Sequence, residues 1–159
     1  MAVFFMDTSA LAKRYIPQET GGAFIHALCK SEANHVIVIS QATLVEAVAA
    51  LCRKAREPNL AQRITLEQRE ELITNFRWDV VKQYSTVDVI SSTYSEAGDL
   101  CRKHPLRSYD AVQIACALTM NKDLTDINQP PLIFLSADNK LLEAAKAEGL
   151  QADNPNNYS

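Results

Sequence analysis

Short apolar runs alternate along the chain with longer segments in which apolar side chains recur every third or fourth residue. Such runs are typical of strands buried on both faces of a parallel sheet, and the longer segments are typical of helices. Four strands are predicted at residues 3–6, 36–39, 87–90 and 132–135, and Leu150 is expected to start a short edge strand. Helices are predicted at residues 10–15, 19–33, 41–56, 65–81, 92–104, 108–120 and 140–148. This alternation predicts an α/β domain with a mainly parallel sheet between helical layers.

A few capping and breaking residues set the predicted boundaries of these elements. Pro17 is expected to end the first helix, because proline removes a backbone donor, and Gly149 is a favourable residue just beyond the end of the last one. Residues 123–131 are predicted to form an irregular loop. Since no stretch suggests a linker, residues 1–159 are predicted to form a single domain with a polar C-terminal tail at about 153–159.

The composition excludes several classes of protein. Hydrophobic residues make up 47% of the 159 positions, which is enough to build a core and argues against a disordered chain. The four glycines are placed so that neither a G-x-G-x-x-G fingerprint nor a P-loop can be assembled. Acidic residues outnumber basic ones, 19 to 16, for a formal charge of −3, which argues against a protein that binds nucleic acid simply by being basic.

The sequence also predicts where the protein works. No apolar run reaches the length of a membrane-spanning helix, and the apolar residues 2–6 follow no basic residue, so neither a membrane anchor nor a signal peptide is expected. The four cysteines stand far apart with no C-x-x-C pair, which disfavours a zinc site and is typical of buried thiols in a reducing compartment. We therefore expect a cytoplasmic protein.

Four carboxylates fall where one site would need them. Asp7 ends the first predicted strand and Asp138 follows the fourth, so both are expected at the edge of the sheet where ligands bind. Glu46 is the only charge in residues 42–52, and Asp110 is the only charge in residues 109–118. Because these helices are otherwise apolar, each acid is expected to be buried, which is costly unless the carboxylate is paired or bound to a metal.

Convergence of the four acids would require cations. Mg²⁺ and Mn²⁺ prefer oxygen ligands, and a carboxylate cluster of this kind suits metal-assisted hydrolysis of phosphodiester bonds. Other interpretations remain open for each residue. Asp7 and Asp138 are good helix N-caps, Asp110 is favoured in a first helical turn, and Glu46 could pair with Arg53 or another base.

Four segments that carry these acids, FMDTSAL at 5–11, LVEA at 44–47, LRSYDAVQIA at 106–115 and SADNKLLEAAKAEGL at 136–150, resemble in order the motifs of PIN-domain ribonucleases, particularly the VapC-like toxins. The closing Asn154-Pro155 is also typical of that family. The resemblance spans nearly the whole chain and implies a PIN-like three-layer α/β/α sandwich. It also implies an endoribonuclease dependent on Mg²⁺ or Mn²⁺, a homodimer, and inhibition by a small cognate antitoxin.

The resemblance assigns roles residue by residue. The four acidic positions of the family, which are both catalytic and metal-binding, match Asp7, Glu46, Asp110 and Asp138. Ser9 matches the hydroxyl position of the opening motif, where it is expected to hydrogen-bond a metal ligand or water, and Ser136 is a weaker candidate for the same task. Asn139 departs from the family, which commonly has a basic residue there, so a phosphate contact is expected to be absent.

Basic residues and further acids complete the set of candidates. Arg14 and Arg107 flank the site motifs and are the preferred candidates for contacting RNA phosphates. Asp88 and Asp99 are expected to face solvent. Without the four proposed ligands the rest of the chain carries one net positive charge, so the acid excess is concentrated in the proposed metal site.

Two alternatives to a nuclease remain. One is a protein-interaction module that keeps the PIN fold without activity. The other is a phosphoaspartyl hydrolase, which also begins with an acid after its first strand. That class normally needs a second acid two residues later, where this chain has Ser9, so it is the less favoured of the two.

Overall fold

The fold is built on five parallel strands, as seen in a computed structural model that describes residues 1–16 and 18–158. The strands are β1 (Val3–Met6), β2 (Val36–Ser40), β3 (Tyr84–Val87), β4 (Ile133–Leu135) and β5 (Gln151–Asp153). Their order across the sheet is β3-β2-β1-β4-β5. Since β1 pairs with β2 on one side and β4 on the other, the residues that follow β1 lie at the centre of the sheet edge.

Seven helices connect and cover the strands. They are α1 (Thr8–Tyr15), α2 (Gly22–Leu28), α3 (Thr43–Lys54), α4 (Leu66–Lys82), α5 (Ser91–Lys103), α6 (Ser108–Asp126) and α7 (Asn139–Ala147). Two short 3-10 turns complete the described elements, one after α2 at Ser31–Ala33 and one after β5 at Pro155–Asn157. No helix within the described ranges is long and apolar enough to cross a membrane.

Alternation of side chains along β1 separates two cores. Phe5 points to one face, where it stacks on Phe134 and packs with α5, α6 and α7. Phe4 and Met6 point to the other face, against the helices α1 to α4. A strand buried on both faces needs apolar residues at every position, which explains the continuous apolar run from which β1 is predicted. The predicted three-layer α/β/α sandwich with a parallel sheet is confirmed.

The structure corrects several predicted boundaries. The prediction of a strand at residues 87–90 is wrong by three residues, because β3 is an edge strand with an exposed, polar middle and only Tyr84 buried. Asp88 therefore lies beyond the strand. Helix α6 extends into the predicted loop as far as Asp126, and its last turn holds an ion pair between Lys122 and Asp126 at 2.5 Å. The predicted helix 19–33 is shortened to α2 and the turn at Ser31–Ala33, and Pro17 lies outside the described residues.

The C-terminal segment has more structure than the predicted polar tail at 153–159. Asp153 ends β5, and Asn154 and Pro155 are buried. Gly21, whose φ is +80°, begins α2 against this segment, and a Cβ there would collide with the carbonyl oxygen of Pro155. Only glycine combines this backbone conformation with so close an approach. Tyr158 then stacks on a phenylalanine of α2, so residues up to 158 pack against the domain.

Candidate active site

The carboxyl ends of the central strands open into a pocket of about 780 Å³. Its walls come from the start of α1, one face of α3, the first turn of α6 and the start of α7. Acidic, basic, hydroxyl and small apolar side chains all contribute to the lining. The structure brings all four predicted acids to this pocket, namely Asp7, Glu46, Asp110 and Asp138, together with the predicted Ser9 and Arg107.

Asp7 directly follows β1, the central strand of the sheet, lines the pocket and is 4% exposed. It caps α1, because its Oδ1 accepts a hydrogen bond from the backbone N–H of Ala10 at 2.8 Å. The hydroxyl of Ser9 lies 2.8 Å and 2.9 Å from its two carboxylate oxygens, and the hydroxyl of Ser136 donates to Oδ2 at 2.8 Å. Capping and a place in the pocket, which are alternatives when only the sequence is considered, are therefore compatible.

The surroundings of Asp7 disfavour its negative charge. Burial raises the pKa of its carboxyl group to about 6, although hydrogen bonds from Ala10, Ser136 and Ser9 act in the opposite direction. The nearby charge of Asp110 raises this pKa further. A carboxylate held in this way gains from any cation that enters the pocket.

Ser9 and Ser136 connect the two central loops of the site. Their hydroxyl oxygens are 3.3 Å apart, and Ser9 also accepts a hydrogen bond from the backbone N–H of Ala137 at 2.9 Å. Ser136 accepts one from the backbone N–H of Asp138 at 3.0 Å. The loop after β1 is thereby fixed to the loop after β4, and the resemblance had indicated both serines.

Glu46 enters the pocket from α3 and is only half-buried, as is Asp110 on α6, which corrects the expectation that both acids are buried. The apolar residues of α3 are divided between the core, where Ala47 and Leu51 lie, and the pocket wall, where Val45 is 59% exposed. Oε1 of Glu46 accepts hydrogen bonds from Thr8 at 3.2 Å and from Gln113 at 2.7 Å. No ion pair between Glu46 and a base exists among the described residues.

Asp110 and Asp138 are each held by one oxygen. Oδ2 of Asp110, in the first turn of α6, pairs with Nε of Arg107 at 2.9 Å. Oδ1 of Asp138 caps α7 by accepting from the backbone N–H groups of Lys140 and Leu141 at 2.9 Å and 3.4 Å. The hydrogen bond to Asp110 raises the pKa of Arg107, as do the charges of the other pocket acids, so this guanidinium stays charged.

A common pattern follows for three of the four acids. Among the described residues, Oε2 of Glu46, Oδ1 of Asp110 and Oδ2 of Asp138 accept no hydrogen bond, while the second oxygen of each is anchored. Hard cations such as Mg²⁺ and Mn²⁺ bind carboxylate oxygens of this kind, so the chemistry of the donor set fits such an ion. Within the described ranges no three acidic, histidine or cysteine side chains already stand close enough together to hold a metal.

The predicted basic residues separate. Arg107 lines the pocket, whereas Arg14 faces a second cavity between α1, α2 and α4, where it pairs with Asp79 at 3.3 Å and contacts the hydroxyl of Tyr84 at 2.5 Å. We therefore do not carry Arg14 into the site. Its place beside the acids is taken by Arg53, which lies two turns after Glu46 on α3 and lines the pocket. The spacing along α3 could have identified Arg53 from the sequence, since it lies seven residues after Glu46 and residues seven apart share a helix face.

The remaining candidates also have clear positions. Asp88 and Asp99 are exposed and lie outside the pocket, as predicted. Asn139 bonds to Asn154 at 2.8 Å, so it fastens the C-terminal segment to α7. No pattern in the sequence indicates a role for Thr8 or Gln113, because a hydroxyl or amide is not distinctive until its partner on another helix is known.

Comparison with known proteins identifies relatives of this arrangement. Residues 4–147 match the model of the family described as the PIN domain. In a comparison of sequences, none of the curated proteins matches the chain.

Solved structures with a similar fold include three from different organisms. The crystal structure of PAE2754 from Pyrobaculum aerophilum is 18% identical, with a TM-score of 0.61 and 95% of this chain and 83% of that chain covered. VapBC2 from Rickettsia felis, bound to a DNA fragment from their promoter, is 12% identical (TM-score 0.60, 96% and 98% covered). VapC20 from Mycobacterium tuberculosis, a Sarcin-Ricin loop cleaving toxin, is 15% identical (TM-score 0.60, 92% and 95% covered). At these identities the likeness concerns the fold.

Proposed function

This chain belongs to the PIN-domain family, and from that premise we propose that it is an endoribonuclease that hydrolyses RNA phosphodiester bonds with Mg²⁺ or Mn²⁺. One observation carries the proposal. Four carboxylates from four separate parts of the chain line a single pocket at the carboxyl edge of the sheet. No requirement of folding places so many like charges together, because their mutual repulsion opposes the folded state.

Asp7, Glu46, Asp110 and Asp138 would hold the cation through the oxygens that face the pocket. When bound, Mg²⁺ or Mn²⁺ polarises a phosphate and lowers the pKa of an attacking water. Ser9 and Ser136 keep the Asp7 carboxylate in place by donating to it. Glu46 would also orient water, since it lines the same pocket and its Oε2 accepts no hydrogen bond among the described residues.

Arg107 and Arg53 are the proposed contacts for RNA phosphates. Both line the pocket, and both side chains are exposed to solvent, so an entering backbone can reach them. Arg107 is tied to Asp110 through Nε, which leaves its terminal amino groups for a phosphate oxygen. Neither contact reads the sequence of the RNA.

The test is hydrolysis of RNA by the purified protein with added Mg²⁺ or Mn²⁺, compared with Asp110→Asn and with the exposed control Asp88→Asn. We expect cleavage by the wild type and by the control, and none by Asp110→Asn. Cleavage that is equal in all three proteins, or absent from the wild type with both metals, would contradict the proposal. In the second case the inactive interaction module becomes the better interpretation.

We also propose that the chain is the toxin of a toxin–antitoxin pair, acts in the cytoplasm and forms a homodimer. The structures of VapBC2 and VapC20 support the toxin role through their shared fold.

The four free cysteines of the chain support the proposal that it acts in a reducing compartment. Exposed apolar side chains at the starts of α3 and α5, including Val45 and Ile90, support an interface. Growth arrest on expression, relieved by a co-expressed small antitoxin, and a molar mass twice that of the chain are the expected results.

A further inference from the structure

Gln113 is the buried polar residue that links the helices of the pocket. It lies on α6 three residues after Asp110, is 2% exposed, and reaches toward α3. Its Nε2 lies 2.7 Å from Oε1 of Glu46 and 3.0 Å from the hydroxyl oxygen of Thr43. It is also 3.5 Å from the hydroxyl oxygen of Thr8, which itself donates to Glu46. One amide therefore contacts groups on both α1 and α3.

The other end of the same amide has no partner. Oε1 of Gln113 is the single buried side-chain polar atom among the described residues that makes no hydrogen bond. Rotating the amide by half a turn would not repair this, because it would place an oxygen against the carboxylate of Glu46. The observed orientation thus keeps the donor on Glu46 and leaves a buried acceptor unsatisfied, which is unfavourable for folding.

The neighbours of Glu46 on its own helix explain why the donor comes from elsewhere. Of the residues one turn away, Ala42, Ala49 and Ala50 offer no side-chain donor. The hydroxyl of Thr43 accepts from Gln113 and lies 3.3 Å from the hydroxyl oxygen of Ser40, and it makes no hydrogen bond to Glu46 among the described residues. Thr8 and Gln113 are the groups that fix Glu46, and both bind Oε1. Oε2, which accepts no hydrogen bond within the described part of the chain, is left available to the pocket.

The chemistry of the donor also matters. An arginine would orient the carboxylate but cancel its charge, as Arg107 partly does for Asp110. An amide is neutral, so it orients Glu46 and leaves the negative charge intact for a cation. We infer that Gln113 is a positioning residue that holds Glu46 for a divalent cation, an inference that rests on the proposed nuclease function.

Substitution by an isosteric apolar residue tests this. Gln113→Met removes the donor and also the unsatisfied acceptor, so we expect the midpoint of thermal unfolding to stay the same or to rise. Affinity for Mn²⁺, measured by calorimetry without RNA, should fall about 10–100-fold, as when other outer partners of metal ligands are removed. The kcat for RNA cleavage should also fall about 10–100-fold, whereas KM should change by less than about twofold in either direction. The matched control is Thr119→Val on α6, which loses only a bond to the carbonyl of Ala115 and should leave all values unchanged.

If Gln113→Met does not fold, two further variants test the same role of Gln113. Gln113→Asn keeps the amide but is too short to reach Glu46, so the same losses in Mn²⁺ affinity are expected. In a Glu46→Gln background, Gln113→Asn should change Mn²⁺ affinity by less than about twofold, because the partner it acts through is gone. Full affinity in Gln113→Asn, or an equal loss in both backgrounds, would overturn the inference.

These results separate the inference from the proposed function. A wild-type protein that binds no Mn²⁺ and cleaves no RNA contradicts the nuclease itself. A wild type that does both, with Gln113 variants that bind and cleave equally well, leaves the nuclease standing and removes the positioning role of Gln113.

Discussion

The two ends of α1 carry polar clusters of opposite character. At its start, Asp7 and Thr8 belong to the acidic pocket, where four carboxylates face two guanidinium groups. At its end, Arg14 and Tyr15 belong to a second cluster against α4 and β3, in which one base meets one acid. Each cluster contains a charge that is largely shielded from water, Asp7 in the first and Arg14 in the second, yet only the first cluster has an excess of one sign.

The second cluster satisfies itself. The hydroxyl of Tyr15 donates to Asp79 at 2.7 Å and accepts from the hydroxyl of Tyr84 at 2.6 Å. Tyr84 in turn accepts a hydrogen bond from Arg14 at 2.5 Å. Burial raises the pKa of both tyrosines, so they remain neutral donors. A buried network with balanced charge and complete hydrogen bonding is the kind that stabilises a fold.

The contrast separates structural from functional charge. The acidic pocket keeps the buried carboxylate of Asp7, whose pKa is raised by burial and whose charge therefore opposes folding. Beside it are three half-buried carboxylates that each have one unbonded oxygen. The second cavity is similar in size at about 830 Å³, but its one acid, Asp79, is paired with Arg14, and Lys30 adds a further positive charge to the lining. An excess of acidic charge, rather than burial or cavity volume, therefore marks the proposed site.

The largest expected effect that tests this contrast is the loss of activity in Asp7→Asn. The amide keeps the size and the capping oxygen but removes the buried negative charge of Asp7 from the pocket. We expect RNA cleavage with Mn²⁺ to fall by at least about a thousandfold, in line with the removal of a group essential to metal-assisted hydrolysis. Asp88→Asn, on an exposed loop, is the control. Cleavage within tenfold of the wild type would show that RNA cleavage does not need the charge of Asp7.

The same substitution should stabilise the metal-free protein. Because the pKa of Asp7 is about 6 in the folded state and 3.8 in a model compound, folding is opposed by its ionisation at neutral pH. Asp7→Asn should therefore raise the free energy of unfolding at pH 7.5 by up to about 3 kcal/mol. The difference between variant and wild type should shrink as the pH falls through 6 and vanish below about 4. Urea unfolding across this range measures it, and a difference independent of pH would refute the assignment.

In the second cluster, removing a charge should lower the free energy of unfolding instead of raising it. Arg14→Met leaves Asp79 without its base, and we expect a loss of about 2 kcal/mol in the free energy of unfolding, less than for a fully buried pair because both side chains keep some exposure. Cleavage per folded molecule should not change. Arg102→Met is the control, since its pair with Asp99 is exposed, and it should cost less than about 0.5 kcal/mol. A loss of RNA cleavage in Arg14→Met without unfolding would return this residue to the site.

Most of the fold was readable in the sequence because its central strands are buried on both faces. β1, β2 and β4 produce continuous apolar runs, and the helices between them have periodic ones. β3 was misplaced for the converse reason, since an edge strand buries few side chains and leaves a weak pattern. The last turns of α6 are mostly exposed and polar, with Leu124 as their one buried side chain, so helical periodicity there is too weak to predict the end of the helix.

The acids of the site were readable because each interrupts an apolar segment or ends a strand. Their partners were not, since Thr8 and Gln113 belong to the site only through contacts with Glu46 on another helix. The choice between Arg14 and Arg53 likewise depends on which side of α1 and α3 faces the pocket. Sequence proximity to a motif favoured Arg14, but helix rotation places Arg53 beside the acids.

Arg53 gives the smallest and most selective test of the contrast. No ion pair holds its guanidinium among the described residues, and it faces the pocket from the same side of α3 as Glu46. If it contacts an RNA phosphate, Arg53→Gln should raise KM about tenfold, leave kcat within about twofold, and reduce the slope of log affinity against log salt by about 1. Arg56→Gln, just beyond the end of α3 and outside the pocket, should change none of these. Equal effects of the two substitutions would mean that RNA responds to the general charge of this helix end, and that the pocket contains no specific phosphate contact at Arg53.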